Sequence, residues 1–111
     1  MKQKSTANAK AVEMFDGIVR KTLTYNKDAM LCHIELKKGA KIPLHHHVPA
    51  QIGMCLAGKI RFFGEKSEDE FIATTGEGYV MESNQPHGAE ALEDSTVVEV
   101  FTPSRPEYAD F

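Results

Sequence analysis

The chain has 111 residues, 41% of them hydrophobic and 26% charged, with a formal net charge of -3. That length holds one domain with a single core, and the scattered Lys and Arg exclude a basic nucleic-acid surface. No window approaches the ~18 apolar residues of a membrane span, and two cysteines without a secretory leader exclude a disulfide scaffold, so a reduced, cytoplasmic, globular chain is expected.

Residues 1–10 are polar and aperiodic and read as a tail. Residues 11–15, AVEMF, fit a helical turn or an edge strand equally well. The expected organisation is therefore an N-terminal tail or edge segment over 1–16, one domain over 17–108 and a C-terminal tail over 109–111. After the turn pair Asp16-Gly17, short runs that alternate in polarity are separated by Gly, Asn, Asp and Pro. They cover 18–25, 29–36, 51–56, 60–64, 71–74, 78–82, 87–92 and 96–102, with one further short strand carrying the histidines of HHH. In the second run Met30, Cys32, Ile34 and Leu36 share one face, and Leu31, His33 and Glu35 the other. The hydrophilic stretch GEKSEDE, 64–70, is a hairpin loop. About nine strands and no convincing helical period define an all-β chain. Such strands bury their apolar faces as a sandwich, a jelly roll or a barrel, and a small closed barrel has room for one small ligand.

The stretch GAKIPLHHHVPAQIGMCLAG, 39–58, carries the chemistry. On an extended chain His45 and His47 project from the same face, because side chains alternate with period two. Imidazole is the commonest metal ligand among side chains. Gln51 lies four residues on, and His87 is the downstream histidine, placed just after a proline turn and at the start of a strand. His45, His47, Gln51 and His87 supply three imidazoles and an amide oxygen, leaving coordination positions open for water or substrate. That set suits one divalent transition metal ion, whether Zn, Ni, Fe, Mn or Cu. Because all four donors are neutral, the ion's charge stays uncancelled, which favours an anionic substrate. His46 points to the opposite face, and His33 reads as a wall or surface residue. Cys55 shares strand parity with Gln51 and reads as packing or as cavity wall. Met54, Met81, Phe62 and Phe63 read as core or interface.

The spacing Gly39, His45-His46-His47, Gln51, Gly58 resembles the first motif of the cupins, with Gln in the usual Glu position. Gly78 followed by Pro86-His87-Gly88 resembles their second motif in a shortened form that lacks the usual Asn. The resemblance implies a double-stranded β-helix, or jelly-roll barrel, with the metal inside one mouth, over residues 17–108. It also implies a homodimer, formed through strand edges. The C-terminal run VVEVFTPSRPEY is similar to that of KdgF-type cupins, which open or ketonise unsaturated uronates released from pectin or alginate. In that group an acidic residue, an aromatic and an arginine face the metal. The matching positions here are Glu99, Phe101 and Arg105, with Glu99 in place of the usual Asp. Glu99 and Arg105 are thereby implied as catalytic, and Phe101 and Arg105 as substrate-binding. The residue chemistry agrees: Glu99 and Phe101 share a strand face, and the planar guanidinium of Arg105 suits a carboxylate. Two other readings stay open, an oxygen-using cupin acting on a small enol or phenol, and a non-catalytic module that binds a small ligand.

Overall fold

Ten strands succeed one another in the described part of the chain: β1 (Ala11–Phe15), β2 (Ile18–Tyr25), β3 (Met30–Leu36), β4 (Lys41–His45), β5 (Ala50–Ala57), β6 (Lys59–Phe63), β7 (Phe71–Thr74), β8 (Gly78–Met81), β9 (His87–Ala91) and β10 (Ser95–Thr102). The structure is a computed structural model that describes residues 1–109; residues 110 and 111, the end of the expected C-terminal tail, lie outside the described residues. The only helical pieces described are single 3-10 turns at Ser67–Asp69 and Pro106–Tyr108, and among the described residues no helix is long and apolar enough to cross a membrane.

The strands form two antiparallel sheets, one of six strands in the order β1-β2-β3-β10-β5-β8 and one of four in the order β4-β9-β6-β7. Residues 11–15 are an edge strand and not a helical turn. An isolated turn would fix several backbone angles for a single hydrogen bond, whereas here the free edge of β2 supplies a ladder, with Val12 opposite Arg20 and Glu13 opposite Val19. The inner faces follow the alternation in the sequence: Met30, Cys32, Ile34 and Leu36 are buried on β3, and Val97, Glu99 and Phe101 on β10. β2 breaks the simple apolar-in rule, since Arg20 and Thr22 are buried with Ile18. Arg20 Nε donates to Thr22 Oγ1 at 3.2 Å, so part of the inward polarity is satisfied locally. Cys32 and Cys55 are buried in the core. Met81 and Phe62 are core residues too, while Met54 is 39% exposed.

Cross-strand register sorts the inner face of the large sheet into rows. One row runs Thr22, Cys32, Glu99, Gly53, Tyr79 across β2, β3, β10, β5 and β8. The next runs Met30, Phe101, Gln51, Met81. Polar side chains are thus gathered in adjacent rows, over an otherwise apolar interior. The chain passes from the large sheet to the small one between β5 and β6, at Gly58. That residue has φ +100, and a Cβ placed on it would stand 2.4 Å from the Asp94 carbonyl oxygen and 2.3 Å from Ser95 Oγ.

Replacing Gly58 with Ala therefore combines left-handed backbone strain with a clash against backbone. Gly58→Ala should destabilise the fold by about 2–4 kcal/mol, read as a lowered urea midpoint at unchanged slope.

Candidate active site

The two sheets contribute different halves of the site. His45 is the last residue of β4 and lies directly opposite His87, the first residue of β9, in the small sheet. His47 is not on a strand, although the i, i+2 spacing predicts one. β4 ends at His45, and His47 sits in the connection that carries the chain across to β5. It still converges on the other two: ring centroids lie 4.4 Å apart for His45–His87, 5.0 Å for His47–His87 and 5.4 Å for His45–His47. One nitrogen from each lies within 4.8 Å of the others. His46 is exposed, as strand alternation predicts.

Each of these imidazoles is oriented by its own neighbourhood. His45 Nδ1 lies 2.8 Å from the Pro43 carbonyl oxygen, His47 Nδ1 2.7 Å from that of Pro49, and His87 Nδ1 2.7 Å from that of Gln85. A carbonyl oxygen only accepts, so in all three rings Nδ1 carries the hydrogen, and in the neutral form of each ring Nε2 has the lone pair. His87 Nε2 is buried and has no hydrogen-bond partner among the described residues. Gln51 adds a fourth donor from β5. Its Nε2 donates to Glu99 Oε2 at 2.7 Å, which turns Oε1 toward the rings, 3.2 Å from His47 Nε2. Two acceptors facing each other are repulsive unless a cation lies between them. Three bare imidazole nitrogens and an amide oxygen fit a divalent transition ion. The three histidines are positioned to bind one.

Glu99 is 5% exposed. Its Oε2 accepts from the Tyr79 hydroxyl as well as from Gln51, both at 2.7 Å. Burial pushes its carboxyl above the usual carboxylate range, opposed by these two donors and by the charge of Arg105. Arg105 follows β10, in the segment leading to the Pro106–Tyr108 turn. Its Nε donates to Glu107 Oε1 at 2.7 Å, and its guanidinium stands 4.1 Å from the centre of the Tyr108 ring and 5.2 Å from that of Phe101. Arg20 lies over Tyr108 at 4.2 Å, so both cations flank one ring. Thr22 Oγ1 donates to the Tyr108 carbonyl at 2.7 Å, fastening the segment to β2. Phe101 is 2% exposed and meets the His47 ring edge-on at 5.8 Å. A cavity of about 250 Å³ touches His45, Gln51, His87, Glu99, Phe101 and Arg105. It is small beside typical ligand pockets of roughly 300–1,000 Å³, so it suits one small molecule and not a polymer.

The cupin-domain family, Cupin_2, matches residues 32–102. The chain belongs to the cupins. It is 36% identical over 103 residues to "Pectin degradation protein KdgF" of Dickeya dadantii, a match covering 89% of this chain and 87% of that one. Among solved structures, KdgF from a Halomonas species superposes with a TM-score of 0.88 at 27% identity, covering 96% of this chain and 97% of the other. An RmlC-like cupin from Shewanella frigidimarina superposes at 0.86 with 20% identity, over 98% and 100% of the two chains, a likeness of fold.

Two contributions to this cupin's site are not visible to motif spacing. Tyr79 belongs to no motif, and pairing β8 with β5 requires the sheet order. Its burial against Glu99 follows from strand parity only once that order is known. Met14 and Phe15 of β1 reach the cavity wall, which brings the expected tail segment into the site. Cys55, by contrast, is fully buried, its thiol donating to the Ala57 carbonyl at 3.4 Å, and burial pushes that thiol up. His33 lies on β3 away from this cluster, on the face opposite the buried Cys32 and Ile34.

Two of the imidazoles are pushed toward the neutral form. Burial, together with the neighbouring His45, His47 and Arg105, holds His87 down to about 4, and burial lowers His47 as well. Between that value and the ordinary 6.5, the unfolded chain binds more protons at these residues than the folded one, so stability rises with pH. Their contribution is complete above pH 6.5 and is lost as pH falls from there toward 4. Metal-free protein should lose stability to urea across that window, and His87→Ala should flatten the dependence. An unchanged pH profile in the variant would show that His87 titrates normally.

Proposed function

We propose that this cupin catalyses ring opening and ketonisation of a small 4,5-unsaturated uronate, with a divalent transition metal held by His45, His47, His87 and Gln51. The observation that carries the reading is that Glu99 and Arg105 border the same small cavity as His45, His87 and Gln51. The 36% identity to a pectin degradation protein supports the substrate class.

The reaction is an isomerisation and needs no co-substrate. The hemiacetal hydroxyl loses its proton as the bond between C1 and the ring oxygen breaks, which leaves an aldehyde and an enol. The enol proton is then replaced by one delivered to C4, giving the ketone. A bound divalent ion supplies polarisation of the substrate's oxygens. Arg105 binds the carboxylate. Its Nε is engaged by Glu107 and its guanidinium lies 4.1 Å from the centre of the Tyr108 ring, so the two terminal amino groups form the fork that a carboxylate meets. Glu99 moves the proton. Oε2 is held by Tyr79 and Gln51, while Oε1 carries no hydrogen bond from the described residues. Burial raises its pKa, which makes the carboxyl a stronger base toward a substrate proton. The apolar remainder of the wall, including Ile34, Ile42 and Ile60, keeps bulk water from the enol.

Self-association into a homodimer belongs to the same reading. It is supported by the apolar outer face of the large sheet, where Ile52, Val80 and Leu56 are 55%, 53% and 40% exposed. Sedimentation at a single monomer mass would count against it.

Metal-loaded protein should speed the loss of absorbance of a 4,5-unsaturated uronate above its spontaneous rate, and chelation should abolish the effect. Glu99→Gln should lower kcat by about 10²–10⁴. Arg105→Ala should raise KM by about tenfold or more. Decay at the spontaneous rate sinks the proposal, and oxygen uptake matching substrate loss assigns the protein to the oxygen-using cupins instead.

A further inference from the structure

Glu99 and Tyr79 occupy strands that are not neighbours. β5 lies between β10 and β8, and Gly53 is opposite Glu99 on one side and Tyr79 on the other. Strands two apart in a sheet are separated by about 9–10 Å, and an intervening side chain normally fills the space. Gly53 leaves it open. A Cβ there would stand 2.8 Å from Tyr79 Cζ and Oη and 2.9 Å from Glu99 Cγ. The tyrosine and the glutamate therefore meet across the glycine, hydroxyl to carboxylate, at 2.7 Å. Tyr79 is itself held from behind, its ring 4.4 Å from that of Phe62 and 6.2 Å from that of Phe71.

An amide side chain has two ends of nearly equal shape and opposite hydrogen-bonding sense. Only one of its two orientations turns the oxygen toward the imidazoles. Gln51 adopts it because Nε2 is drawn to Glu99 Oε2, and Oε2 is fixed by the hydroxyl of Tyr79. We propose that Tyr79, reaching Glu99 through the gap at Gly53, is a positioning residue that selects the metal-facing orientation of the Gln51 amide. The inference rests on the metal-site reading above. Burial and the neighbouring Glu99 hold the Tyr79 phenol far above its ordinary pKa, so it stays a donor. A carboxylate at position 51 presents an oxygen whichever way it turns. The amide is a donor set that needs an external selector, and the row Glu99, Gly53, Tyr79 supplies one.

The test uses the full chain with cobalt(II) as probe ion, measuring affinity by chelator competition and the ligand-field absorption of the bound ion. Tyr79→Phe keeps the ring packing and removes only the hydroxyl. It should weaken cobalt binding by about tenfold, the lower end of what removing a group behind a metal ligand costs, and should shift the absorption spectrum. The thermal midpoint should fall by a few degrees, because the buried Glu99 loses one of its two donors, with the chain still folded under the assay conditions. In a Gln51→Ala background the same change should have no further effect on affinity, because the amide through which Tyr79 acts is gone. Gly53→Ala, which forces Tyr79 and Glu99 apart, should reproduce the spectral shift. Wild-type affinity and spectrum in Tyr79→Phe, with binding lost in His87→Ala, overturn this inference and leave the metal site standing. An equal loss in the Gln51→Ala background also overturns it. A wild-type chain that takes up no cobalt overturns the metal reading, and this inference with it.

Discussion

A carboxyl group inside a barrel is costly unless the lone pairs it turns inward find donors, and the placement of Glu99 is the constraint around which the interior is arranged. Glu99 sits on β10, which pairs with both β3 and β5 and so occupies the middle of the large sheet. Its satisfaction takes a donor from each of two strands on the same side, Gln51 from β5 and Tyr79 from β8. Gly53 makes the second contact sterically possible. The same arrangement sets the direction of the Gln51 amide, and with it the fourth donor of the histidine cluster. A buried polar network of this kind is stable only when complete.

The charge of the cavity follows from a division of labour between the two sheets. The small sheet brings His45 and His87 together as cross-strand partners at one end of the β4–β9 ladder, and their Nδ1 hydrogens go to backbone carbonyls. That leaves the Nε2 atoms as the ones free to converge on a metal ion. Arg105 adds a fixed positive charge from the C-terminal segment, which Thr22 and the rings of Tyr108 and Phe101 hold against the large sheet. Imidazoles, an arginine at the wall and one recessed carboxyl thus line one small cavity.

Periodicity and spacing made much of this legible. Alternation along 29–36 and 96–102 identified the inward faces, and the offsets between His45, His47, Gln51 and His87 identified which side chains converge. Where the reading departed from the structure, tertiary contacts had overridden local pattern. His47 reaches the cluster from a connection, because β4 stops pairing at His45. Residues 11–15 are a strand because β2 offers a free edge, which no local preference encodes. Arg20 and Thr22 point inward because the C-terminal segment and Tyr108 come to rest against them. Gly53 carried a usable signal, since a glycine inside a strand often marks close approach of another group, but what approached could not be named from one strand.

The amino-acid sequence by itself determined the all-β class, because alternation within each short run sets its inward face, while the jelly roll and the convergence of His45, His47, Gln51 and His87 were legible through the resemblance of their spacing to the cupin motifs. Only the tertiary structure decided that Tyr79 supports Glu99, that β1 reaches the cavity and that Arg105 is clamped beside Tyr108. Those relations depend on sheet order, and sheet order is set by how the whole apolar surface is buried rather than by any short stretch of chain.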